Sequence, residues 1–190
     1  MQKLELKGKL KLLPKRKCRL SVNIALTGTP GTGKTSLSSK LDNTVVSINN
    51  HYSDISNGKD EEGNWLIDLD KLNEVINVKI HSNCIFEGHV SHFLNDIGMT
   101  IVLRCNPKKL KERLDSRKYT DAKIRENMEA EALNIITEEA IEFHGENKVF
   151  ELDTSTNSID ESLTKLKGII GGNLKSDKRI DYSETIMDWY

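Results

Sequence analysis

The sequence predicts an α/β fold, a parallel central sheet flanked by helices in three layers, on three observations. From residue 20 onward short apolar runs alternate with segments of helical period. Strands separated by helices require crossover connections, which cover both faces of a parallel sheet. The first apolar run ends in a glycine-rich turn that opens a helix. With 190 residues, the chain has the length of one domain with a full core.

Taken in order, residues 20–26 (Leu-Ser-Val-Asn-Ile-Ala-Leu) read as a strand running into Gly28, residues 35–41 as a helix and residues 44–48 as a second strand. Residues 49–68 are polar and turn-rich, which predicts a loop-rich insertion. A helix follows at 69–78, then strands at 84–87 and 99–103. Asn106-Pro107 is a helix start, because Asn accepts free backbone N–H bonds and Pro suits the first turn. Leu110 and Leu114 face the core from that helix. The stripe Met128, Ala132, Ile135, Ile136, Ala140 and Phe143 predicts one long helix over residues 121–143. Residues 149–152 form a last short strand. Ser158 and Glu161 make a capping box for a final helix carrying Leu163, Leu166 and Ile170, closed by Gly171-Gly172.

Composition narrows the class. Charged residues make up 30% and apolar ones 36%, which excludes collagen-like, low-complexity and wholly disordered chains. Apolar runs are far shorter than the ~20 residues of a membrane span, so no membrane association is expected. No secretory leader is recognisable and three scattered cysteines lack a CxxC pair, so a reducing cytoplasm is the expected location. Cys84 and Cys105 read as small core residues. Residues 1–20 hold eight Lys/Arg and one acid, +7, which leaves −8 on residues 21–190. That basic arm suits RNA or another polyanion, or else is a solubilising leader; it carries no aromatic residue for base stacking.

Gly28-Thr-Pro-Gly31-Thr-Gly33-Lys34-Thr35 fits the phosphate-loop pattern G-x-x-x-x-G-K-[ST], with an apolar strand before it and a helix after it. Glycines let backbone N–H groups curl around phosphate oxygens, and the following helix adds its positive end. Gly31, Gly33, Lys34, Thr35 and Ser36 are the expected ATP contacts, with Lys34 on the outer phosphates and Thr35 on Mg²⁺. The strand at 84–87 ends in Glu87-Gly88-His89, which puts a carboxylate where ligands bind in such sheets. Glu87 is therefore expected to act on Mg²⁺ or as a base, and His89 beside the transferred phosphate or an attacking water. His92 is expected to be structural; His89 and His92 lie three apart, but no third metal ligand is evident. Arg113 and Arg117 are one helical turn apart and can face one site. Arg117, at the break before the next helix, is the stronger candidate for a mobile charge that closes over the phosphates.

Together, Gly28–Thr35, Glu87-Gly-His89-Val-Ser-His92, Leu103-Arg-Cys, Glu112-Arg-Leu-Asp-Ser-Arg117-Lys-Tyr119 and Asn127-Met-Glu-Ala-Glu-Ala132 resemble the isoenzyme-six type of adenylate kinase, closest to its archaeal branch. The resemblance covers roughly residues 22–170. It implies a P-loop nucleoside-monophosphate kinase fold, the three-layer P-loop NTPase class, with a short monophosphate-binding insertion and a short lid. It implies Mg-dependent phosphotransfer from ATP to AMP together with ATPase activity. It also implies a task in ribosome biogenesis and rRNA processing, through a platform protein of the small ribosomal subunit (the eleventh). On this basis the chain divides into a basic arm at 1–20, a kinase domain at 21–172 and a tail at 173–190. The monophosphate segment spans about 49–69 and the lid about 116–126. Arg117 is the lid arginine; Glu87 and His89 match the Asp-x-His pair of eukaryotic relatives, with Glu in place of Asp. One departure stands out: those relatives carry an arginine in the monophosphate segment, and residues 49–69 have Lys59 alone among Asp54, Asp60, Glu61, Glu62 and Asp68. Such a segment repels AMP unless Lys59, lid arginines or Mg²⁺ compensate. The alternative is therefore an assembly ATPase with little AMP kinase activity, bound to a small-subunit ribosomal protein and to rRNA or the immature subunit. A kinase for another small metabolite is a third reading.

Overall fold

A computed structural model describes residues 22–174, 176 and 179–189; Cys18 and the basic arm lie outside them. Five parallel strands form the central sheet in the order β2-β5-β1-β6-β7, where β1 is Ile24–Thr27, β2 Thr44–Ser47, β5 Cys84–Glu87, β6 Met99–Arg104 and β7 Val149–Asp153. Side chains on a strand alternate between faces, and the core divides accordingly. Ile24 and Leu26 join Ile85, Ile101, Leu103 and Leu152 on one face, under α1 (Lys34–Ser38) and α6 (Ile159–Ile170). Ala25 and Phe86 point the other way, to Ile48, Leu72 and Leu94, beneath α2 (Leu69–Val75). A third cluster of Cys105, Leu110, Leu114 and Ile124 lies between α3 (Pro107–Asp115) and α4 (Asp121–Ala132). Cys84 and Cys105 are buried free thiols, and the Cys105 thiol is pushed up to about 11 by burial.

Three sequence expectations change. The first helix is one short piece, ending at Ser38 instead of running to residue 41. The insertion at 49–69 holds an antiparallel hairpin, β3 (Ser56–Lys59) with β4 (Trp65–Ile67). Asp60 builds its turn by accepting the backbone N–H groups of Glu62 and Asn64 at 3.0 and 2.8 Å, a side-chain turn signal that strand periodicity does not carry. The long helix over 121–143 is two helices, α4 and α5 (Ile135–His144). Asn134 sits between them in the left-handed region at φ 58°, which Asn tolerates better than most residues. Arg104 fixes the break, donating from one terminal nitrogen to the Glu131 carbonyl at 2.9 Å and to the Asn134 side chain.

Helix ends follow their sequence signals. Asn106 caps α3 with Pro107 in its first turn, and Ser158 and Glu161 form the reciprocal capping box of α6. Beyond α6 the tail returns to the body, and its 3₁₀ turn at Ser183–Trp189 packs on α4.

Candidate active site

The chain reverses direction across the sheet at β1. From β1 it passes through α1 to β2, on the far side of β5, whereas β6 and β7 lie on the other flank. Ligands in open α/β sheets bind outside the strand ends at such a reversal. The loop 28–35 and Glu87 both occupy that edge. Gly28 passes so close to β6 that a Cβ would stand 2.4 Å from the Leu103 carbonyl oxygen, and one on Gly31 would meet Leu110 of α3 at 2.8 Å. Both have positive φ, 135° and 92°. The loop is thus moulded against β6 and α3, and only glycine fits at either point.

Thr29 is a hub of the loop. Its carbonyl accepts from the Thr32 hydroxyl at 2.8 Å and from Lys34 Nζ at 3.0 Å, while Lys34 also donates to the Gly28 carbonyl at 2.6 Å. Lys34 is buried, and burial brings its ammonium down to about 8, with Glu87 and Glu131 opposing that shift. A lysine held only by carbonyls can exchange them for phosphate oxygens, which would restore full protonation.

Glu87 is 2% exposed, with Thr35 Oγ1 donating to one oxygen at 3.0 Å and Ser47 Oγ to the other at 3.3 Å. Thr35 and Glu87 form a hydroxyl–carboxylate pair of the kind that holds Mg²⁺ on nucleotide phosphates. Among the described residues no three His, Cys, Asp or Glu gather as a metal cage.

His89 Nδ1 lies 2.6 Å from the Tyr52 hydroxyl. Burial, then Lys34, His92 and Lys123, bring His89 down to about 4, and burial beside Glu87 raises the Tyr52 phenol. The pair is therefore neutral at pH 7. A neutral His89 thus brings a polar imidazole and no positive charge to the cavity that it lines. His92 is enclosed, 2.9 Å from Thr27 Oγ1 and 3.1 Å from a Glu139 oxygen.

Gly31, Gly33, Lys34, Thr35, Ser36, Glu87, His89 and Arg117 all line one cavity of about 510 Å³. It runs on to Asn49 and Tyr52, to the hairpin residues Asn64 and Trp65, and to Lys123 and Asn127 of α4. A second cavity of about 250 Å³ shares Gly31, Gly33, Ser36 and Arg117 with it and is closed by Thr154, Asn157 and Ser162. Ser36 and Arg117 are thus side chains that line both, while Arg113 lines only the smaller one, donating to the carbonyls of Gly31 at 3.3 Å and Thr154 at 2.6 Å.

Sequence reasoning gave no role to Lys123, Tyr52 or Thr29, or to the buried trio Arg104, Glu131 and Glu151. One signal for the trio was present: an arginine ending an apolar strand must find carboxylates in the core.

Residues 24–134 match the AAA domain family. A protein of Archaeoglobus fulgidus named "Putative adenylate kinase" is 40% identical over 172 residues, which cover 87% of this chain and 90% of the relative. The chain belongs to this family of archaeal P-loop kinases. The family member of the same name from Methanococcus maripaludis is 41% identical over 148 residues, 70% of this chain and 79% of that one. The kinase fold is shared more widely. Shikimate kinase from Acinetobacter baumannii in complex with shikimate superposes with a TM-score of 0.54 at 16% identity, covering 83% of this chain and 97% of that one. Thymidylate kinase from Candida albicans gives 0.52 at 11% identity, covering 80% and 92%. The three-layer α/β P-loop architecture expected from the sequence is therefore the architecture of the protein.

Proposed function

We propose that the chain is an adenylate kinase, moving the γ-phosphoryl group of Mg·ATP to AMP and forming two ADP. The observation that carries this reading is the pair of cavities meeting at Gly31, Gly33 and Arg117. Two nucleotides approaching one phosphate loop from opposite sides need that arrangement. The donor base would enter the smaller cavity and the acceptor the larger one, over the hairpin. Segment 49–69 would serve as the monophosphate site and 116–126 as the lid. Lys34 and the loop amides would hold the donor phosphates, and Arg117 would follow the transferred group. Lys123, the cation of α4 lining the larger cavity, would offset the missing acceptor arginine. His89 would steady a phosphate oxygen. Mg²⁺, held by Thr35 and Glu87, would neutralise phosphate charge. Phosphoryl transfer asks for positioning and charge more than for covalent chemistry, and these residues supply both.

ATP and AMP incubated with the protein should yield ADP from both nucleotides, followed by phosphorus NMR, and Lys34→Ala should abolish it. ATP loss without any conversion of AMP would reject the reading.

A second reading, an ATPase serving small-subunit ribosome maturation, draws on the acidic hairpin Asp60-Glu61-Glu62 and on the isoenzyme-six resemblance. It predicts that a small-subunit ribosomal protein or rRNA precursor co-purifies in a nucleotide-dependent way. Capture of neither with ATP, ADP or no nucleotide would remove its support.

A further inference from the structure

Arg104 ends β6 directly after the apolar run Ile101, Val102 and Leu103, and it is 2% exposed. Burying a guanidinium is unfavourable unless all of its donors are met. Here they are. Nε donates to Glu131 at 2.7 Å. One terminal nitrogen donates to the Glu151 carboxylate and to the Ile180 carbonyl at 3.1 Å, and the other to the Glu131 carbonyl and the Asn134 side chain. The carboxylates are equally complete. Glu151 takes the Thr137 hydroxyl at 2.8 Å on one oxygen and the Ile180 N–H at 2.9 Å on the other. Glu131 takes the Cys105 N–H at 2.9 Å beside Arg104, and its second oxygen accepts from Thr29 Oγ1 at 2.6 Å.

Two ends of this cluster belong to parts of the chain with no other reason to meet. One is Thr29, whose carbonyl receives Lys34. The other is the tail, whose Ile180 supplies both a donor and an acceptor through its backbone. Tyr182 adds its ring 5.4 Å from the Arg104 guanidinium carbon and its hydroxyl 3.2 Å from Ser155 Oγ. Ser176 Oγ donates to the Glu151 carbonyl and accepts the Glu151 N–H, and Arg179 pairs with Glu138 of α5.

We propose that the tail positions the phosphate loop: Ile180 and Tyr182 hold Arg104, Arg104 holds Glu131, and Glu131 holds Thr29. Glu131 and Arg104 are positioning residues, because neither lines either cavity. With the tail in place the cluster is buried and its charges are tightly paired. Lifting the tail admits water beside Arg104, weakens its grip on Glu131 and frees Thr29 to turn, and with it the carbonyl that orients Lys34. The proposal rests on the loop being the nucleotide site.

The test is a double-mutant cycle in the full-length chain. Ile180→Pro with Tyr182→Ala removes the N–H to Glu151 and the ring over Arg104. Thr29→Val removes the hydroxyl bond to Glu131 and keeps the side-chain shape. Mg·ATP affinity is measured by calorimetry, with KM and kcat in parallel. The expected result is a tenfold rise in Kd from the tail variant (1.4 kcal/mol), carried by KM more than by kcat, and less than a twofold rise when Thr29→Val is already present. Coupled residues give this non-additivity, and independent ones do not. An equal rise in both backgrounds, or a lower melting temperature with unchanged Kd, would overturn the proposal. If the double substitution does not fold, Tyr182→Ala alone in the same cycle is read by the same criteria. Mg·ATP binding to the unaltered chain is the reference. Its absence would refute the phosphate-loop reading and the tail proposal together, whereas binding without coupling refutes only the latter.

Discussion

Lys34 shows how much a single residue's surroundings set its chemistry. In the folded chain its ammonium sits at about 8, chiefly because it is buried, against an ordinary value of 10.5. Between pH 8 and 10.5 the unfolded chain therefore holds more protons at this position, so this group's contribution makes stability rise with pH across that window. Phosphate oxygens favour the charged form. Mg·ATP binding at pH 9 should then take up a proton, seen as a buffer-dependent binding heat in calorimetry. The uptake should vanish at pH 6 and in Lys34→Met. Equal binding heats in all buffers at pH 9 would contradict this assignment. His89 follows the same logic with a different outcome, since burial leaves it neutral.

At the scale of elements, the break between α4 and α5 is the informative feature. The apolar stripe continues across it, so hydrophobic periodicity reads one helix, and no Pro or Gly marks the interruption. Arg104 imposes it from the sheet by taking the Glu131 carbonyl and the Asn134 side chain. Asn134→Ala should cost about 1–2 kcal/mol, because alanine pays the left-handed backbone penalty without offering an acceptor. Asn134→Gly should cost less, since the conformation remains free. Urea unfolding of the two variants checks the order. The hairpin over the larger cavity is a similar case, because a turn built by Asp60 joins a polar four-residue strand to an apolar one of three residues, both too short to announce themselves by alternation.

For the whole molecule, the Arg104 cluster joins the sheet, α4, α5, the phosphate loop and the tail in one set of hydrogen bonds. Replacing one partner of a buried ion pair strands the other charges. Arg104→Met should therefore lower the unfolding free energy by about 3–5 kcal/mol, measured by urea denaturation. A loss below 1 kcal/mol would show that the cluster does not bind these layers together. Cys105→Ala, beside Arg104 in the chain, offers a comparison that leaves the charges in place.

The sequence by itself determined the parallel α/β architecture, the phosphate loop and the capped ends of α3 and α6. Each of these is written in local order: alternation of apolar residues, glycines at fixed spacing, and a hydroxyl three residues before a carboxylate. It also brought Lys34, Thr35, Glu87 and His89 to notice, since strand ends beside a glycine turn face one edge of a sheet. Tertiary structure alone decided where the helix expected over 121–143 breaks, that Tyr52 faces His89, and that Thr29 reaches the tail through Glu131 and Arg104. Those features join residues 27 to 102 positions apart, and the partner of a buried charge is chosen by proximity in the folded core, which no local pattern encodes.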